Sequence, residues 1–153
     1  MRALVVAALL LAAPVMAEDL YVCTGGSDTN GCTNNGADCC ASIYRAITQA
    51  TGIGTEAVTI EVEDGTYTSG GATTGGCSGY AVAVEDEVCT AAFPCTINAA
   101  TTRGVTVEDA GGEALCFHDS DYWTINGIYF DDTNADNAAT ARADRIDCIL
   151  CSL

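Results

Sequence analysis

The sequence predicts an all-β fold, a right-handed parallel β-helix that one helix closes near its N-terminal end. Segments of period two follow one another over most of the chain, and a single segment of helical period precedes nearly all of them. Strands and turns that recur every ~20–30 residues are typical of a solenoid, in which each turn buries its inward side chains on the next. An immunoglobulin-like sandwich is the alternative for so many short strands, but it does not account for the helix.

The helical segment covers 41–50, where Ile43, Ile47 and Ala50 fall on one face and Gly52 follows as a stop signal. The predicted strands are short, rich in β-branched or aromatic residues, and bounded by Gly, Asp and Asn. They are 20–23, 58–62, 80–84, 95–99, 105–108, 114–117, 122–125, 128–130 and 146–150. The solenoid prediction depends on a recurrence of about 20–25 residues between five strand starts, at Val58, Tyr80, Val105, Thr124 and Ile146.

The N-terminal segment has the three parts of a secretory signal: a positive charge at Arg2, an apolar run over 3–13, and small residues at 15–17. The apolar run is shorter than the roughly 20 residues that span a bilayer. We therefore expect a signal peptide over 1–17 and one domain over 18–153, incomplete at its C-terminal end. The expected location is extracellular, periplasmic or at the cell surface.

Ten cysteines follow the predicted signal: Cys23, Cys32, Cys39, Cys40, Cys77, Cys89, Cys95, Cys116, Cys148 and Cys151. An even, high count in an exported chain of this size predicts a disulfide framework. Zinc is disfavoured, because the Cys-x-x-Cys pair at 148–151 has no second pair to complete a site. Spacing leaves the connectivity open, although Cys89 and Cys95 are close enough to close a small loop.

The composition is strongly acidic. The chain has 21 Asp and Glu residues against 5 basic ones, all of them arginine, and a formal net charge of −16. Such a surface repels nucleic acid and anionic membranes, so we expect neither as a partner once the signal is removed. It suits calcium or cationic partners, and it also keeps an extracellular protein soluble.

Several segments follow one another in a characteristic order. A first strand at 20–22 precedes a Gly-Ser-Asp loop at 26–31 and the helix at 41–47. A Gly-Thr-Tyr turn at 64–68 and a Tyr-Trp-Thr-Ile-Asn-Gly segment at 122–130 come later. In this order the segments resemble the landmarks of pectin-lyase-like β-helix proteins. The resemblance implies extracellular polysaccharide as a partner. It leaves the reaction open, because this family includes lyases, hydrolases, epimerases and adhesins.

The acidic segment after the 128–130 strand is a candidate calcium site. Asp131, Asp132, Asn134 and Asp136 offer closely spaced oxygen ligands of the kind that calcium requires. The segment departs from an EF-hand, which needs a turn glycine and a bidentate glutamate. A solvated acidic turn is the alternative.

Catalytic residues are only weakly indicated. His118, Arg142 and Arg145 are the candidates for a base, and the chain has no lysine. Arginine is a reluctant base with a pKa above about 12. Sugar contact is predicted at Tyr122, Trp123 and Tyr129. Because strand side chains alternate, Tyr122 shares a face with the residue at 124 and Trp123 lies on the opposite face.

These observations predict a secreted module that contacts extracellular polysaccharide, either non-catalytic or a truncated enzyme. A calcium-dependent pectate-type lyase is the first alternative, and a cell-surface adhesion or structural protein is the second. A further expectation is self-association through an open C-terminal sheet edge, because unpaired edges invite pairing.

Overall fold

The computed structural model describes residues 17–68, 80, 82–85, 89–108, 114–118, 120–131, 140–142 and 146–149. For residue 51 and the last two ranges, only the backbone is described. The predicted signal peptide lies outside these residues, apart from Ala17.

The described residues form one helix and eleven strands. Their bounds are β1 Glu18–Val22, α1 Ile43–Ile53, β2 Val58–Val62, β3 Gly65–Tyr67, β4 Val82–Glu85, β5 Cys95–Ala99, β6 Val105–Glu108, β7 Leu115–His118, β8 Trp123–Asn126, β9 Ile128–Asp131, β10 Thr140–Arg142 and β11 Ile146–Ile149. All nine predicted strands are confirmed with small shifts at their ends, whereas β3 and β10 were not predicted. Helix α1 continues past Gly52 because the left-handed cap is Gly54, with a φ of 51°.

The strands form three separate parallel sheets. The first sheet has the order β1-β2-β5-β8-β11, the second β3-β6-β9, and the third β10-β7-β4. Side chains from all three sheets and from α1 belong to one hydrophobic core. That shared core fixes which face of each sheet points inward.

The prediction of an all-β fold, a right-handed parallel β-helix, is wrong. The structure has three small parallel sheets and a helix that packs against β1, β2 and β4, which is an α/β-like arrangement. The prediction depended on the spacing between strand starts, but it compared strands that do not pair with each other. Val58 lies in the first sheet and Val105 in the second. The observed register instead pairs Val58 with Cys95, and Cys95 with Trp123.

The start of α1 is anchored by an aspartate from the preceding loop. Ser42 is the N-cap, and its hydroxyl accepts a hydrogen bond from the Arg45 backbone N–H at 3.1 Å. Asp28 accepts from the backbone N–H groups of Ala41 and Ser42, each at 2.9 Å, and from the Ser42 hydroxyl at 2.8 Å. The aspartate of the Gly-Ser-Asp loop therefore has a structural role here.

The loop over 24–40 covers the outer edge of β1. The Tyr21 N–H donates to the Cys32 carbonyl at 2.7 Å, and the Cys40 N–H donates to the Tyr21 carbonyl at 2.9 Å. Disulfides Cys23–Cys39 and Cys32–Cys40 fix this loop, with Cα–Cα distances of 5.8 and 4.9 Å. Because the loop satisfies backbone groups of β1, it blocks edge-to-edge pairing at this end of the first sheet.

The disulfide framework is confirmed in the described part of the chain. Cys89 and Cys95 form the small loop that their spacing allowed, and Cys116 is also disulfide-bonded. No free cysteine occurs among the described residues. Three identified disulfides indicate an oxidising, extracellular-type environment. Within the same residues, no helix is long and apolar enough to cross a membrane.

Candidate functional site

The outer face of β2, β5 and β8, the three central strands of the first sheet, is a continuous polar surface. In β2, β5 and β8, buried apolar side chains alternate with half-buried polar ones that point away from the core. We define this outer face by the six polar residues of these three strands: Thr59, Glu61, Thr96, Asn98, Thr124 and Asn126.

The strand register arranges these residues in two rows. Thr59, Thr96 and Thr124 occupy paired positions on successive strands. The second row consists of Glu61, Asn98 and Asn126, which also occupy paired positions on successive strands. Because neighbouring strands lie about 4.8 Å apart, each row presents polar groups at a regular spacing along the sheet.

Most polar groups of the two rows are open to a ligand. The Asn98 amide donates to both carboxylate oxygens of Glu61, at 3.1 and 2.9 Å. Across the described ranges, the side chains of the three threonines and Asn126 make no hydrogen bond to protein. They retain donors and acceptors for a polar ligand.

Tyr122 directly precedes β8, one of the three strands that form this outer face. It is the one exposed large hydrophobic residue of the described part of the chain, with 39% of its surface accessible. Its backbone lies in the left-handed region with a φ of 61°, which costs an ordinary residue roughly 1–2 kcal/mol. Its carbonyl accepts from the Cys95 N–H at 3.1 Å, which holds this conformation against the sheet. An aromatic ring is thus kept at the surface despite two unfavourable features.

Trp123 does not share the exposure of its neighbour. It is 1% exposed and packs edge to face against Phe117, with ring centroids 6.5 Å apart. Its indole Nε1 has no hydrogen-bond partner among the described groups. The predicted alternation is confirmed within β8, where Trp123 lies in the core and Thr124 faces outward. Trp123 therefore offers no ring face to an external ligand.

Tyr129 and Asp131 lie on a different sheet. Both are half-buried on β9 in the second sheet, where Tyr129 pairs with Thr106 and Asp131 pairs with Glu108. The other predicted calcium ligands, Asp132, Asn134 and Asp136, are outside the described residues. No group of three or more His, Cys, Asp or Glu side chains that suits a metal occurs in the part described. Calcium binding stays a prediction.

The third sheet brings two of the catalytic candidates together. His118 on β7 pairs in register with Glu85 on β4 and with Arg142 on β10. Arg145 lies outside the described residues. The pairing with Glu85 was missed, because a register between strands more than thirty positions apart leaves no local signal in the sequence.

Tyr67 is a titratable group with a structural role. Its hydroxyl donates to the Glu63 carbonyl at 2.8 Å, and its ring is buried. Burial, followed by the charges of Glu63 and Asp64, raises the pKa of Tyr67 to about 12. At neutral pH this hydroxyl remains protonated and serves as a hydrogen-bond donor.

Charges of both signs lie on or beside the outer face. Glu61 belongs to the face and Asp19 is exposed on the neighbouring strand β1. Arg103 is exposed and borders the face, because its backbone N–H donates to the carbonyl of Gly127, directly after Asn126, at 2.7 Å. The other basic residues of the described chain are Arg45 on α1 and His118 and Arg142 on the third sheet.

The sequence could indicate which side chains point outward but not which ones become neighbours. Period-two alternation identified the aromatic pair at 122–123, whereas the rows of threonine and asparagine depend on long-range register.

Comparison with known proteins adds nothing to this picture: no family model, no curated protein and no solved structure matches the chain.

Proposed function

We propose that this chain is a secreted, non-catalytic module that binds extracellular polysaccharide on the outer face of the first sheet. The observation that carries the proposal is Tyr122, an aromatic ring held at the surface in a left-handed backbone conformation beside two rows of polar side chains. Strained residues cluster at ligand-binding positions, so such an outlier is a reason to look for a ligand there.

The chemistry of the face suits a sugar polymer. A tyrosine ring presents an apolar surface with a polar tip, which matches the C–H face of a pyranose ring and its hydroxyls. The threonine hydroxyls and the Asn126 amide supply donors and acceptors beside it. A regular array on a sheet suits a ligand that is itself a repeating chain.

Two further observations support an extracellular role. The disulfides require an oxidising environment, and the first 17 residues have the features of a cleaved signal. The resemblance of 122–130 to pectin-lyase-like proteins suggests the same class of ligand and stays a prediction.

Binding to a panel of polysaccharides tests the proposal. Tyr122→Ala is expected to weaken affinity about tenfold, because it removes a stacking surface of the size that hot-spot aromatics provide. Tyr122→Phe keeps the ring and is expected to bind within about twofold of the parent. Tyr122→Asn relieves the left-handed strain without the ring, so it should fold well and bind poorly.

Tyr129→Ala is the matched control, since it removes the same side chain from the second sheet. Equal losses for Tyr122→Ala and Tyr129→Ala, or no binding to any polysaccharide by folded protein, would contradict the proposal. Calcium-dependent formation of unsaturated uronate would replace it with the lyase alternative. Binding to cells without glycan binding would favour the adhesion alternative.

A further inference from the structure

We infer that Asn35–Gly36, in the loop over 24–40, is a site of spontaneous modification, at which the asparagine closes to a succinimide that water then opens. The inference does not depend on the proposed polysaccharide site. The sequence has three Asn-Gly pairs, at 30–31, 35–36 and 126–127. Because glycine has no side chain to hinder its backbone nitrogen, an asparagine before glycine closes to the ring more readily than one before any other residue. The surroundings of each pair decide which of the three reacts.

The reaction needs only water and hydroxide. Hydroxide removes the proton of the Gly36 N–H, and the backbone nitrogen attacks Cγ of Asn35. A C–N bond forms, the bond from Cγ to the side-chain nitrogen breaks, and that nitrogen leaves as ammonia. Water then opens the ring at either carbonyl, which gives aspartate or isoaspartate. A reactive pair must therefore expose the glycine N–H and leave the asparagine side chain free to turn towards the backbone.

The Asn35–Gly36 pair meets both requirements. Both residues are exposed, and a Cβ added to Gly36 would have no atom within 4 Å. The side-chain oxygen of Asn35 lies 3.7 Å from Sγ of Cys23, which is disulfide-bonded and has no proton to donate. In the part of the chain that the structure describes, the Asn35 amide nitrogen and the Gly36 N–H make no hydrogen bond. Gly36 has a φ of 111°, so the turn itself requires the glycine on which the reaction depends.

The Asn30–Gly31 pair has both reacting groups engaged. Nδ2 of Asn30 donates to the Cys39 carbonyl at 2.9 Å, and the Gly31 N–H donates to Oδ1 of Asp38 at 3.4 Å. Both residues of the pair are half-buried. Ring closure at this pair must first break these hydrogen bonds, which raises its barrier.

The Asn126–Gly127 pair is restrained by the first sheet. Asn126 is the last residue of β8, which pairs with β5 on one side and with β11 on the other. Gly127 is buried, and a Cβ added to it would lie 3.3 Å from Cβ of Ala99 and 3.4 Å from Cα of Thr102. Strand pairing holds Asn126 extended, and burial limits the access of hydroxide to the Gly127 N–H.

The modified protein is expected to stay folded. Both products add a negative charge to an exposed turn between Cys32 and Cys39, and isoaspartate also adds a methylene group to the backbone. Disulfides Cys23–Cys39 and Cys32–Cys40 fix both ends of this segment. Modified chains therefore accumulate as a more acidic form of the folded protein.

Incubation of the oxidised, folded protein in heavy-oxygen water at mildly alkaline pH tests the inference. Each ring that opens takes up one solvent oxygen, and tandem mass spectrometry of peptides locates the new aspartate or isoaspartate. Asn35 is expected to react about tenfold faster than Asn30 or Asn126, because those two must first lose hydrogen bonds or strand pairing. Equal or faster reaction at either of the other pairs would overturn the inference.

The reduced chain in denaturant is the matched reference, since it has the same three pairs without the surrounding structure. There the three pairs are expected to react at similar rates. The same preference for Asn35 in the unfolded chain would mean that the local sequence selects it, which would overturn the inference. So would the absence of reaction at Asn35 in the folded protein over a time in which the unfolded chain reacts.

Two variants of neighbouring exposed residues confirm the position. Asn35→Gln should abolish the fast uptake of heavy oxygen, because the ring that glutamine forms is larger and closes far more slowly. Asn34→Gln makes the same change at an exposed asparagine that no glycine follows, and it should leave the rate at Asn35 unchanged. Fast uptake that persists in the Asn35→Gln variant would contradict the assignment.

Discussion

The outer faces of the first and third sheets differ in solvent exposure, although both sheets are parallel and pack around one core. On the third sheet, the outward positions Ala83 and Cys116 are 1% and 3% exposed, because Tyr44 of α1 and Tyr80 pack over them. On the first sheet, the outward threonines remain half-exposed. Small apolar residues on the third sheet allow two tyrosine side chains to cover its outer face, whereas the polar outer face of the first sheet is accessible to a ligand.

The sequence pattern already differs between the two sheets. Strands β4 and β7 begin with three consecutive buried residues each, whereas β2 and β5 alternate strictly between buried and half-buried ones. A continuous buried run marks a strand covered on both sides, and strict alternation marks one with an open face. Ligand contact is therefore expected where the alternation is strict.

The largest expected effect comes from placing the same polar residue on each face. Ala83→Gln inserts an amide into the covered cluster and is expected to lower the free energy of unfolding by about 3 kcal/mol, through overpacking and burial of an unpaired polar group. Thr96→Gln makes a comparable change on the open face and should stay within about 0.5 kcal/mol of the parent. Chemical denaturation measures both. Equal losses of stability in the two variants would show that the outer faces of the two sheets do not differ in burial.

Loss of the helix anchor should have the next largest effect. Asp28→Ala removes three hydrogen bonds at the start of α1 and is expected to cost about 2 kcal/mol, because the helix packs into the hydrophobic core against β1, β2 and β4. Asp38→Ala is the control, since Asp38 accepts from Gly31 and Thr33 within the exposed loop. Its expected cost is about 1 kcal/mol or less. The reverse order would contradict the role given to Asp28.

Alkaline pH provides a third test through Tyr67. Its pKa is raised from 10.0 in the unfolded chain to about 12 in the folded protein. Unfolding therefore favours loss of the proton, so the stability contributed by neutral Tyr67 is fully present below pH 10 and declines as the pH rises through 12. Tyr67→Phe should flatten the decline in stability between pH 10 and pH 12. An unchanged pH profile in the variant would exclude this tyrosine as the cause.

The smallest effect is expected from a single hydroxyl on the open face. Thr96→Val keeps the shape of the side chain and should change stability by less than about 0.5 kcal/mol. Loss of one hydrogen-bonding group is expected to weaken polysaccharide binding about threefold. Thr106→Val makes the same change on the second sheet and should leave binding unchanged. A loss of binding in the Thr106 variant would extend the contact surface to that sheet.

Local order was predictable from the sequence, and long-range order was not. The spacing of Ile43 and Ile47 gave the helix, and alternation placed Trp123 in the core, because both signals lie within one element. The fold class was wrong because strand recurrence was counted without knowing which strands pair. The rows through Thr96 and Asn98 were missed for the same reason: each contact joins strands separated by long segments of chain.

The most direct test of glycan binding on the outer face of the first sheet is an NMR titration of the oxidised, folded protein with an oligomer of the polysaccharide that binds most tightly in the panel. Saturable shift changes are expected in the amides of Thr96, Asn98, Tyr122 and Thr124. The amides of Ala83 and Cys116, which Tyr44 and Tyr80 cover, should remain unchanged. Changes centred on the second or third sheet, or no changes at millimolar oligomer, would contradict the assignment of this face as the binding surface.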